Sequence, residues 1–85
     1  MKTEPTPIPG AYVIELEYRR DHRGFFVETY NRDKFSALGI GDMFVQDNHS
    51  ASAKGVLRGM HFQYPPKAMS KMVRCSRGKI FDVAV

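Results

Sequence analysis

The sequence cannot build an internal disulfide, because it holds a single cysteine, Cys75. A lone thiol fits a reducing compartment, so a cytoplasmic setting is expected. Tryptophan is absent. No apolar run approaches the ~20 residues that a membrane helix requires. The opening Met1-Lys2-Thr3-Glu4-Pro5 also lacks the apolar stretch of a signal peptide, and no membrane partner is expected. A basic stripe is missing too. Lysine and arginine number 13 against 9 acidic residues, a net charge of +4, but the cations are scattered, densest at Arg19-Arg20 and Arg74/Arg77. That pattern argues against a nucleic-acid partner and suits a small anionic ligand. Histidines are sparse and spread out, with no His-x-His pair. His49 and His61 lie twelve residues apart, and a glutamine, not an acid, stands two after His61. A metal site of two close histidines and a carboxylate is therefore not expected.

What remains is globular. The chain is 42% hydrophobic and 26% charged, and its 85 residues suit one small domain or a piece of a larger one. Residues 1–9 read as an extended arm. Ala11 to Leu16 reads as a first strand, and Arg19-Arg20-Asp21-His22-Arg23-Gly24 as a turn. Phe25 to Tyr30 alternates, so Phe26, Glu28 and Tyr30 share one face and Phe25, Val27 and Thr29 the other. Asn31 is a good helix N-cap, Phe35 and Leu38 sit three apart, and Gly39 follows as a stop, which predicts one short helix near 32–38.

Strand character returns at 43–52, 56–63, 69–75 and 79–85, with turns at Gly55, Pro65-Pro66 and Ser76-Arg77-Gly78. Met60, Phe62, Met69 and Met72 read as packing residues, and Cys75 as a small buried hydrophobe. About six short strands and one helix predict an all-β sandwich or barrel. The sequence stops inside its last apolar strand, an edge that would pair promiscuously if left open, so the chain is expected to be the first part of a longer domain.

Chemistry concentrates in Lys54-Gly55-Val56-Leu57-Arg58-Gly59-Met60-His61-Phe62-Gln63. A histidine beside fixed cations can move a proton while its neighbours stabilise an anion. In a flat strand Arg58 faces with Met60 and Phe62, opposite His61, so a shared site needs a bulge or twist at Gly59. Upstream, Gln46 and Asn48 stand two apart on one strand face and can act together.

Five ordered blocks, from about residue 8 onward, resemble the N-terminal half of the dTDP-4-dehydrorhamnose 3,5-epimerase family. They are Asp21-His22-Arg23-Gly24-Phe25-Phe26-Val27-Glu28, Phe44-Val45-Gln46-Asp47-Asn48-His49-Ser50, the Gly55–Gln63 stretch, Lys71-Met72-Val73-Arg74, and Gly78 to Val85. The resemblance implies a double-stranded β-helix, a cupin-like jelly roll, of which residues 1–85 would be the N-terminal part. It implies a homodimer with a shared site and no metal or organic cofactor. The reaction implied is inversion at C3 and C5 of a dTDP-linked 4-keto-6-deoxyhexose.

By the same resemblance His61 is the base, Lys71 stabilises the enolate oxygen, and Arg58 binds the diphosphate or supports the sugar pocket. Gln46 and Asn48 face that pocket, while Arg23, Phe26 and Glu28 reach the nucleotide from the partner subunit, Phe26 by stacking. The family's proton-donating tyrosine, and the aspartate that orients the histidine, lie downstream of the last block. The alternative is a truncated, inactive fragment that binds sugar nucleotides or only dimerises.

Overall fold

The computed structural model describes all 85 residues, Met1–Val85. They fall into two compact units, Met1–Met43 with Val83–Val85, and Phe44–Asp82.

The first unit holds all the regular structure: strands β1 (Lys2–Pro5), β2 (Tyr12–Glu15), β3 (Tyr18–Asp21) and β4 (Gly24–Val27), then helix α1 (Arg32–Ala37). β1 and β2 pair antiparallel, with Thr3 opposite Ile14 and Pro5 opposite Tyr12. The extended arm thus pairs along its first residues. Thr6 organises the connection: its hydroxyl lies 2.9 Å from the Ala11 carbonyl and accepts the Ile8 amide at 3.2 Å, while Thr6 N–H donates to Ala11 O at 3.2 Å.

β3 and β4 form a tighter hairpin, with Tyr18 opposite Val27 and Asp21 opposite Gly24. The stretch expected to turn over 19–24 is strand up to Asp21, and only His22 and Arg23 make the turn. Asp21 Oδ1 accepts the Arg23 amide at 2.8 Å, a local bond that closes the reversal within the hairpin. The Tyr18 and Phe25 rings meet at a tilt on one face, centroids 5.2 Å apart, with the Arg20 guanidinium 5.1 Å from the Tyr18 ring. Arg19 and Phe26, directly opposite each other, occupy the other face.

α1 forms where its caps allow. Asn31 is extended, and its Oδ1 accepts the Lys34 amide at 3.1 Å. At the other end Gly39 takes φ +91°, and the amides of Gly39 and Ile40 bond the carbonyls of Ser36 and Phe35 at 3.0 and 2.9 Å. That pair is a Schellman close, and it demands a residue tolerant of the left-handed region. The helix anchors Phe35, which is 1% exposed and packs edge-on against Tyr30 at 4.8 Å. Phe35 is the one buried hydrophobic residue of the chain.

The second unit has turns but no ladder. Val56 N–H closes a turn onto Ala53 O at 3.3 Å, and Lys67 N–H onto Tyr64 O at 2.7 Å. The segments expected as strands at 43–52, 56–63, 69–75 and 79–85 acquire no strand partners. An extended segment becomes a strand only when another chain segment meets its amides and carbonyls. The expected packing residues Met60, Phe62, Met69 and Met72 are accordingly exposed. Cys75 is exposed as well, not buried, with Sγ 3.3 Å from the Arg77 carbonyl.

A folded monomer of 9.7 kDa exposes about 5,100 Å², whereas this chain exposes 8463 Å². The structure that forms is all-β, two antiparallel hairpins with one short helix, and is consistent with an incomplete jelly roll. No helix is long and apolar enough to cross a membrane.

Candidate functional site

Within the first unit, a cleft of about 530 Å³ opens between the β3–β4 hairpin and α1, its lining including Met1, Glu17, Arg19, Phe26, Glu28 and Lys34. The alternation of the hairpin puts Phe26 there, 71% exposed and so free to receive a flat ligand. Glu28 stands beside it. Its Oε1 lies 2.7 Å from the Lys34 ammonium, and its Oε2 is 3.5 Å from the Asn31 amide nitrogen. The Lys34 contact holds the Glu28 carboxyl below the ordinary glutamate range, against partial desolvation, with Asn31 adding to the effect. Glu17 is lowered too, chiefly by the terminal ammonium of Met1, 3.0 Å from its Oε1. An aromatic face flanked by two ionised carboxylates and two side-chain cations can stack a ring and accept its N–H groups.

Arg23 lies outside this cleft lining, at the tip of the hairpin. Its Nε donates to Asp21 Oδ2 at 3.0 Å, and Nη2 binds the same oxygen. The pairing lowers the Asp21 carboxyl and raises the Arg23 guanidinium. Both side chains are solvated, so the pair adds orientation more than stability.

The remaining candidates belong to the second unit. Gln46 Nε2 donates to Asn48 Oδ1 at 3.3 Å, so the two amides do meet. Arg58 turns back over the preceding turn, with Nε donating to Ser52 Oγ at 2.9 Å and Nη2 to Ala51 O at 3.3 Å. Gly59 takes φ +135°, a value closed to ordinary side chains. The segment is therefore no flat strand, and the opposition of Arg58 and His61 that regular alternation would impose does not hold. His61 and Lys71 are exposed, and no hydrogen bond or ion pair joins either to Arg58 or to each other. No three histidine, cysteine, aspartate or glutamate side chains gather as a metal cluster would.

Of the lining residues that the sequence does not single out as site residues, two bear side-chain cations, Arg19 and Lys34. A turn over 19–24 hides Arg19, whereas the turn at His22-Arg23 makes it the cross-strand neighbour of Phe26. Lys34 carried a fainter signal. With Asn31 as N-cap it is the third helical residue, and only the return of α1 toward β4 brings it to Glu28.

The profile of a family described as dTDP-4-dehydrorhamnose 3,5-epimerase matches residues 5–85. A Shigella flexneri dTDP-4-dehydrorhamnose 3,5-epimerase is 50% identical over 86 aligned positions, which cover 100% of this chain and 48% of the relative. A protein of the same name from Methanothermobacter thermautotrophicus is 52% identical over 80 positions, covering 94% of this chain and 43% of the relative. A Streptomyces niveus dTDP-4-dehydrorhamnose 3-epimerase is 42% identical over 86 positions, covering 100% and 42%. No solved structure matches significantly. The chain spans about half the length of the curated relatives it matches, and it belongs to the dTDP-4-dehydrorhamnose 3,5-epimerase family.

Proposed function

We propose that this chain is the N-terminal part of a single jelly-roll domain of a cytoplasmic, homodimeric epimerase acting on dTDP-4-dehydro-6-deoxyglucose. The observation that carries the reading is the family match over residues 5–85, which takes in the histidine, lysine and arginine blocks together. His61 removes a proton from the carbon next to the C4 ketone, and the C–H electron pair moves into an enolate. Lys71 stabilises the negative oxygen that forms. Arg58 binds the diphosphate or supports the sugar pocket, with Gln46 and Asn48 lining that pocket. Reprotonation from the opposite face gives the inverted centre, dTDP-4-dehydro-L-rhamnose once both carbons have reacted. The proton donor and the carboxylate that orients His61 belong to the portion of the relatives beyond these residues. Arg23, Phe26 and Glu28 serve the nucleotide of the partner subunit's active site. Neither a metal nor an organic cofactor takes part.

A second reading is a fragment that binds sugar nucleotide or dimerises without turnover. It is favoured by the exposure of His61 and Lys71 in a segment without strand partners. NMR in D₂O separates the two, following C3 and C5 of the keto sugar with this chain and its His61→Ala variant. His61-dependent deuterium incorporation is the expected result. A folded chain that binds the sugar nucleotide without exchange leaves the second reading. Comparing C3 with C5 also tests the choice between double and single epimerisation, since the relatives include proteins named for each.

A further inference from the structure

The cleft beside Phe26 contains a charge that the nucleotide-binding residues do not account for. Lys34, the third residue of α1, reaches back to Glu28 and sets its ammonium 2.7 Å from Oε1. Oε2 receives only a long 3.5 Å approach from Asn31. A carboxylate oxygen offers about two lone pairs, so Oε2 keeps capacity for a ligand donor. Asn31 also spends its own Oδ1 on the Lys34 amide at 3.1 Å. The N-cap that starts the helix therefore fixes the backbone of the residue that pairs with Glu28. Three residues at a spacing of three, Glu28, Asn31 and Lys34, form one connected unit between the end of β4 and the first turn of α1.

We propose that Lys34 is a positioning residue for Glu28, holding its carboxylate at the edge of the Phe26 cleft so that Oε2 accepts the ring N–H of a stacked pyrimidine base. This rests on the nucleotide-binding reading of Phe26 and Glu28 and goes beyond it by assigning the residue that orients the acceptor. A single ammonium on one oxygen leaves the other with lone pairs for a donor, whereas an unpaired glutamate would sample several rotamers and bind with the entropy of ordering still to be lost. The other charges facing Glu28 are Arg19 on β3, Glu17 ahead of β3, and the Met1 ammonium already engaged by Glu17. None of them forms an ion pair with Glu28, so Lys34 is its direct charged partner.

The test uses the full chain with thymidine diphosphate as probe, measuring Kd by calorimetry across pH for the wild type, Lys34→Met, Lys34→Arg and Glu28→Gln. The expected result is that Lys34→Met weakens binding about five- to ten-fold and Lys34→Arg restores most of the loss, because a retained charge still pairs with the carboxylate. The acid-side fall in affinity should begin at higher pH in Lys34→Met than in the wild type. Equal affinity and an unchanged pH profile in Lys34→Met, with Glu28→Gln weakened, overturns the inference and leaves the nucleotide reading standing. Absence of binding by the folded wild type removes both. Should Lys34→Met lose the Tyr30–Phe35 ring contact and with it α1, the Glu28 carboxyl can be titrated by carbon NMR in the wild type. A midpoint at the ordinary glutamate value would overturn the proposal there as well.

Discussion

The two units of this chain respond differently to the same lack of partners. The first has short connections and closes its own bonds. A hairpin turns within His22-Arg23, a six-residue helix is capped at both ends, and Phe35 is sealed against Tyr30. The second carries the proposed base, its cationic helper and the pocket amides, yet forms only isolated turns. Local bonds need little loop closure, whereas the strands of a jelly roll meet segments far away in sequence. The lesson is that motif-rich sequence and self-sufficient structure are separate properties. Here the residues that look most chemical lie in the unit that forms no ladder of its own.

The largest expected effect that sharpens this contrast is in amide hydrogen exchange. The paired amides of β2 and β4 should be at least ~10-fold better protected than those of 56–63, because exchange follows local opening and the latter have no ladder to open. Equal protection in the two regions would erase the distinction. An effect confined to the first unit should follow Phe35→Ala. Emptying a core phenylalanine site costs about 3–5 kcal/mol in a formed core, so the variant should lose the Tyr30 ring-current shifts and the helical signal of 32–37, while spectra of residues 56–63 stay unchanged.

The smallest effect concerns acid. Asp21 and Glu28 are both lowered, by Arg23 and Lys34 respectively. A carboxyl lowered on folding contributes stability above the ordinary carboxylate range, and that contribution disappears as pH falls through the lowered value. The β3–β4 turn and the start of α1 should therefore loosen on acidification below that range, read as broadening of the Arg23 and Lys34 amide signals. Sharp amides throughout the acid range would mean that these pairs do not hold the unit.

Much of the first unit was readable from local pattern. Asn31 and Gly39 bracketed the helix because caps are made by residues adjacent in sequence, and the alternation Phe26, Glu28 correctly paired two cleft residues on one face. Asn48 and Gln46 meet for the same reason. The reading failed where a decision depended on another strand. The polar run that includes Arg19 and Arg20 suggests a turn, but pairing with Phe26 and Phe25 makes them strand. Met60, Phe62 and Cys75 suggest packing by their apolar character, but burial needs a surface to cover them, and all three are exposed.

Residue order was enough to establish the family blocks, the all-β class, the helix and its caps, and the histidine, lysine and arginine on which the proposed chemistry rests. All of these are written in short-range spacing. The tertiary structure decided that Lys34 meets Glu28, that Arg23 is bound by Asp21 at the hairpin tip, and that the backbone takes a positive φ at Gly59 ahead of His61. Those facts depend on where the backbone turns in space, and a turn of one residue more or less moves a side chain to the opposite face.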